Sequence, residues 1–315
     1  MKLFAAFALF VAIAPALAPY DPGRQFPGYQ YAPPMRPHVF ESGRLHPPFA
    51  FAIRVTDPLE RQYAQDRTRR LTRFSGEAPW FLLGSDALGR DVLSRVLVGA
   101  RLSLGIALVA TLAALLLGAA IGAGAAYAGG WTDTVLMRVA DFVAVLPGIY
   151  LVLGLRGALP LVLTIGQVFL ALAGVLALAG WPTVARGVRG ILIIERQAEY
   201  AEAARASGAS AWRLIARHLL PAARGFLALQ ATLLIPAFVM AEATLSFVGL
   251  GFAPPTPSWG AMLQDAAAVR IVADAPWLLT PAVAVVITVL VVHTVTSGRL
   301  PSADPAGPAE LMTDQ

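Results

Sequence analysis

Long apolar runs separated by short polar stretches make up most of this 315-residue chain. Six runs have the length that a bilayer's hydrocarbon core demands of a helix, roughly 17–25 residues. They are Leu3–Pro19, Leu102–Tyr127, Val135–Leu155, Pro160–Gly180, Phe226–Phe247 and Trp277–Thr296. The second, "LSLGIALVATLAALLLGAAIGAGAAY", carries no charge and holds Gly118 and Gly122 at the spacing that lets a neighbouring helix approach closely. An alanine- and glycine-rich helix would contain the same pair by composition, and the two readings stand level. The pattern predicts an all-α polytopic membrane protein with about six transmembrane helices.

Two stretches depart from this pattern. In "LGSDALGRDVLSRVLVGARLSL", residues 83–104, Val92, Leu93, Val96, Leu97 and Ala100 recur at helical spacing. Asp91, Ser94, Arg95 and Arg101 lie largely off that face, as in an amphipathic helix on the outer membrane surface that feeds into the second run. The other stretch follows the fourth run. Glu195, Glu199 and Glu202 form one stripe of a helix expected from about Ile191 to Ala206. Gly208 suits a left-handed helix end, Ser210 suits the cap of the next helix, and Trp212, Ile215, Ala216 and Leu219 form its apolar face. Pro221 then interrupts the pattern before the fifth run. The result is a charged helix–glycine–helix elbow with a small-residue tip at Ala203 and Ala204, shaped either to seat in a partner's groove or to lie at the membrane surface.

Charge orients the chain. Residues 182–224 hold seven arginines against three glutamates, whereas 250–276 hold only Arg270. Short cytoplasmic loops collect arginine, so the elbow is expected inside and both termini with it. The basic balance, net +5, is then a membrane-loop feature and not a sign of nucleic acid. Lysine occurs once, as Lys2, so no Walker A loop and no buried Schiff base can form. Any ATP the protein uses is bound by another subunit. There is no cysteine, and neither an HExxH motif nor paired intramembrane aspartates to support an intramembrane enzyme. A stand-alone secondary transporter or channel, the alternative reading, would show charged or broken helices at mid-membrane, and these runs are nearly charge-free.

The expected organisation has a first helix at 1–19, an outer loop with its amphipathic helix at 20–101, and a membrane domain at 102–296 containing the loop 182–224. A cytoplasmic tail follows at 297–315. Lys2, a short apolar run and Ala16-Leu17-Ala18 also have the form of a cleavable signal, although retention is favoured. Residues 20–60, with "FPGYQYAPPMRPHVF", read as an extended, ordered loop. His38, Glu41 and His46 are scattered within it, which is ordinary surface spacing more than a metal site. Glu242 is the acidic residue well inside the fifth run, read as a helix-packing hydrogen bond near the outer end. Arg138 and Asp141, three apart, read as an interfacial pair.

The order Glu202-Ala203-Ala204, Gly208, Leu220-Pro221 resembles the EAA loop of ABC-importer permeases. His218 stands where the usual pattern has isoleucine, and the peptide-importer branch often carries histidine there. The 83–104 stretch, including Gly89, Arg90, Asp91, Ser94 and Arg95, is similar to the signature before the second helix in the second ("C-type") permease subunit of dipeptide, oligopeptide and nickel systems. "AEATLSFVGLGFAPPTPSWGAML", 241–263, resembles that group's fifth-helix end and outer loop, and "APALAPYDP", 14–22, the outer end of a retained first helix. The resemblance implies a permease core in a bacterial or archaeal inner membrane. It also implies four kinds of partner: a second homologous permease, two ABC ATPases docking on the EAA loop, an external solute-binding protein and the lipid bilayer. ATP and magnesium would sit in the ATPases and no cofactor in this chain. The substrate would be a peptide or a similar small solute.

Overall fold

The computed structural model describes residues 9–41, 44–57, 62–72, 74, 78–147, 150, 154, 164–267 and 273–297. Helices dominate: α1 (Val92–Ala128), α2 (Gly130–Val145), α3 (Ile165–Glu195), α4 (Glu199–Ala206), α5 (Ala211–Leu214), α6 (Arg224–Phe247), α7 (Trp259–Asp265) and α8 (Thr280–Ser297). A 3-10 turn, Ala14–Leu17, precedes them. Among the described residues four helical runs are long and apolar enough to cross a membrane: Val92–Ala128, Ile165–Glu195, Ala211–Phe247 and Pro276–Thr294. They correspond to the second, fourth, fifth and sixth expected spans. The first and third spans fall partly outside the described residues, as do Arg270 and the tail.

Local chemistry sets the helix starts. Asp91 caps α1 by accepting from the Ser94 amide at 2.8 Å, and Thr164 with Gln167 closes a capping box on α3. At 37 residues, α1 is about 55 Å long, well beyond the ~30 Å hydrocarbon core. Its first turns are therefore not a separate surface helix, as the amphipathic pattern suggested. They continue the membrane helix into the polar cap, where Asp91, Ser94 and Arg95 are buried.

α1 and α3 form the centre of the bundle. A Cβ on Gly118 would meet the Val184 side chain, and one on Gly122 would run into the Ala185 backbone. The glycine pair is thus a helix-contact seam and not a compositional accident. α6 packs across the same pair, with Phe238 over Gly180.

The outer region, expected as an extended loop, holds three strands among its described residues. β1 (His38–Glu41), β2 (Arg44–Asp57) and β3 (Gln62–Leu71) form an antiparallel meander in the order β1-β2-β3. Pro47 and Pro48 and a register shift between Phe51 and Ala52 break the alternation that would have marked β2 as a strand. Beneath the sheet lies a separate apolar core that includes Phe26, Met35, Ile53, Trp80 and Phe81. His38 and His46 both pack on Phe49, and among the described residues no group of three potential ligands is placed to hold a metal.

Candidate functional site: the two polar ends of the helix bundle

At the end away from the sheet, α3 stops at Glu195. Residues 196–198 turn, so the single helix expected over Ile191–Ala206 is in fact two. The break takes Glu195 out of the stripe and gives its carboxylate to the Tyr200 hydroxyl, which pushes that phenol up to about 12. α4 then ends in a Schellman arrangement. The Ala209 amide donates to the Ala204 carbonyl at 3.1 Å, the Gly208 amide to Arg205 at 3.0 Å, and Gly208 sits at φ +79°. Ser210 caps α5. The chain runs on through a π turn, Ile215–Leu219, and a 3-10 turn, Leu220–Ala223, before α6. Pro221 occupies the first turn of that 3-10 segment, so it tightens the helix without ending it.

The π turn changes which residues face inward. Leu214 and Leu219 are buried with Ala201 and Ala223 against Val184, Val188 and Leu192, whereas Trp212 is 77% exposed. The expected apolar face assumed 3.6 residues per turn. An i to i+5 turn brings residues five apart onto one side instead. Glu202, Ala203 and Gly208 are exposed at the tip, and Ala204, Leu220 and Pro221 are half-buried toward the bundle. Arg196 donates to the Ala126 carbonyl at 2.6 Å and so ties the base of the elbow to the end of α1. Arg189 holds Asp133 through two bonds of 2.5 and 2.6 Å, which keeps that carboxyl below its ordinary range. Asp141 pairs with Arg186 at 3.1 Å, not with Arg138, because α2 lies alongside α3 and presents Asp141 to it.

At the sheet end a second cluster forms before and within the first turn of α1. Asp86 accepts from Arg90 Nε at 2.7 Å, from Arg95, and from the backbone amides of Leu88 and Arg90. Gly89 makes the turn between them at φ +71°, with its carbonyl accepting from the Phe26 amide. Asp91 also accepts from the Ser94 hydroxyl at 2.6 Å, and Ser94 in turn accepts from the Tyr20 amide. Burial lifts the Asp91 carboxyl to about 6, and the same cause raises Asp265, which stands 3.6 Å from Arg95. Gly89, Arg90, Asp91, Ser94 and Arg95 are therefore brought together. Asp86 and Asp265 complete the cluster, although the pattern along the chain did not single them out. Asp86 lies inside the 83–104 stretch without having been picked out from it, and the signal of Asp265 was being acidic in an otherwise oily sequence.

Glu242 lies below this cluster, fully buried in α6. Ser246 donates to it at 2.7 Å, and the hydroxyls of Ser103 in α1 and Ser258 at the cap of α7 flank the same carboxyl. Ser103 also accepts from the Trp259 amide, so three elements meet at this residue.

The chain as a whole is similar to known proteins. The model of the family described as binding-protein-dependent transport system inner membrane component matches residues 114–298. The chain belongs to that family. It is a permease component of an ABC importer and crosses the inner membrane several times. The glutathione transport system permease protein GsiD of Pectobacterium atrosepticum is 34% identical over 236 residues, 75% of each chain. The same-named protein of Escherichia coli O6:K15:H31 is 37% identical over 230 residues, 72% of each chain. A putative peptide permease of Brucella ovis is 34% identical over 259 residues, 82% of this chain and 83% of that one. Among solved structures, the MetNI methionine ABC transporter in an inward-facing conformation has a chain that superposes with a TM-score of 0.51 at 20% identity. The match covers 64% of this chain and 92% of that chain, and it establishes the shared fold.

Proposed function

We propose that this permease passes a small peptide or peptide-like solute and is driven through the α4–Gly208–α5 elbow by ABC ATPase subunits. The elbow itself carries the reading. It presents Glu202 and Ala203 outward, yet Ala201, Leu214 and Leu219 root it in the ends of α1 and α3. A push on the tip would therefore move the central helix pair as a packed unit. In this reading two ATPases dock below and hold ATP and magnesium. A second homologous permease completes the translocation path, and an external binding protein delivers solute at the sheet end. Peptide-like cargo is supported by the relatives named as glutathione and peptide permeases.

The test uses two tip variants. At Gly208 an added Cβ has open space around it, so Gly208→Val acts through backbone strain alone, on the order of 1–2 kcal/mol. Glu202→Lys reverses the exposed charge. Both should insert and fold normally yet recover at least tenfold less ATPase in a pull-down, with transport and solute-stimulated ATP turnover falling together. Wild-type pull-down and transport by both variants would reduce the elbow to a surface loop. Transport by the chain without ATPases would favour a stand-alone carrier.

A further inference from the structure

A groove of about 760 Å³ runs along α1 at the sheet end of the bundle, between the segment that holds Val11 and the start of α3. α1 contributes one helical stripe, from Arg101 through Gly105 to Val109, and α3 contributes Ile165 and Phe169. The uncharged run of α1 begins at Leu102, so Arg101 stands at the edge of the hydrocarbon. Val109, eight residues on, lies about 12 Å deeper. Gly105 hollows the floor, since a Cβ there would come within 3.3 Å of the Phe169 ring. Val109 and Ile165 are 40% and 54% exposed, so the groove opens sideways to whatever surrounds the helices. At this depth that is not water. An apolar groove left empty in hydrocarbon loses dispersion contacts along its whole lining.

The polarity of the groove runs in one direction. Its polar side chains are Arg101 and Thr256, and no acidic side chain lines it. Arg101 is exposed and needs no partner for its own sake; it decides which head group is preferred. Its stem can lie along apolar surface while the guanidinium reaches the interface, where its fork matches a phosphate. The first turn of α3 borders the same mouth and adds the positive end of a 31-residue helix. Below the mouth, Leu102, Leu108, Val109 and Phe169 offer hydrocarbon alone. A cationic mouth above an apolar channel matches the order of groups along an anionic phospholipid. A transmembrane helix of another subunit is apolar along its span and would leave the cationic mouth unmatched. The volume falls within the ~300–1,000 Å³ of sites that take one small molecule. We propose that this groove holds one anionic phospholipid, its phosphate on Arg101 and an acyl chain running past Gly105 and Phe169 toward Val109. The proposal involves neither the cargo nor the ATPases, so it stands or falls apart from the elbow.

The experiment is native mass spectrometry of the full-length chain in detergent micelles, titrated with dioleoylphosphatidylglycerol or dioleoylphosphatidylcholine. One phosphatidylglycerol should be retained about fivefold more tightly than phosphatidylcholine, the preference one arginine near the surface gives an anionic lipid. Soluble glycerol phosphate at millimolar concentration should not displace it. Arg101→Gln should bring the two lipids level and leave phosphatidylcholine unchanged. Val109→Trp, which fills the channel from an exposed position, should weaken both at least fivefold. The lipid should also stay bound when the chain is purified together with its co-expressed importer subunits. The proposal is overturned if the wild-type chain holds both lipids alike or if Val109→Trp binds as wild type does. Displacement by glycerol phosphate would overturn it in favour of a free-phosphate site, and loss of the lipid on assembly in favour of a subunit seam. The comparison of the two lipids on the wild-type chain decides the matter even if a variant fails to fold.

Discussion

Removing the Asp86 carboxylate should be among the most damaging single changes outside the bilayer. Its side chain is 5% exposed, and those of Arg90 and Arg95 are 6% and 4% exposed. Asp86→Ala would leave two buried guanidiniums with Asp265 as their remaining ion-pair partner among the described residues. That carboxylate is 45% exposed and lies 3.6 to 3.9 Å away, too far to replace the direct bonds. The amides of Leu88 and Arg90 would also lose their acceptor. Breaking one partner of a buried ion set costs about 3–5 kcal/mol, because the remaining charge is left uncompensated. For a chain of 315 residues that corresponds to a drop in Tm of roughly 5–8 °C. Thermal unfolding in nanodiscs, followed by tryptophan emission, would measure it. Limited proteolysis should show faster cleavage in the segment between Tyr20 and Asp91. A triple variant, Asp86→Leu with Arg90→Leu and Arg95→Met, removes the charges together and should recover half or more of the loss, since apolar replacements of buried ion sets are often neutral. The reasoning fails if Asp86→Ala stays within about 1 kcal/mol of wild type, or if the triple variant is no better than the single one.

Other outcomes follow from the same geometry. Gly122→Leu should separate α1 from α3 and lower Tm by the equivalent of about 1–3 kcal/mol or more, because the Ala185 backbone cannot yield. Gly124→Ala, two residues away with open space at its Cβ, should be neutral or stabilising by up to ~1 kcal/mol, and equal damage at both positions would refute the seam. The folded Asp91 carboxyl titrates near 6, above the ordinary 3.8 of a free aspartate, so the native state holds its proton more tightly. That contribution is fully present below pH ~4 and lost as pH rises through ~6. Asp91→Asn keeps an acceptor for the Ser94 amide and should remove that slope, so that above pH ~7 it is no less stable than wild type. A variant that follows the wild-type pH profile would disprove the burial argument.

Much of this molecule is legible in one dimension. An apolar run of bilayer length admits little except a helix, because backbone polar groups have no other partners in hydrocarbon. Four of the expected spans accordingly appear as helices close to where the runs lie. Gly208 and Ser210 were equally readable, since a left-handed helix end and an N-cap are local requirements met by residue type. Contacts made across the sequence were not readable in this way. The choice of Arg186 over Arg138 as partner of Asp141 depends on α2 lying along α3. The inward turn of Leu214 and Leu219, with Trp212 left outside, depends on a π turn that packing imposes. Asp265 meets the two arginines only when α7 folds back over the start of α1. The sheet stayed hidden because prolines and a register shift spoil its alternation, and because a strand's pairing is stabilised by residues far away in the chain. Sequence alone determined the solvent each segment must occupy and the local stops within it. Tertiary structure decided which polar groups neutralise one another, because that is settled by distance in space and not by spacing along the chain.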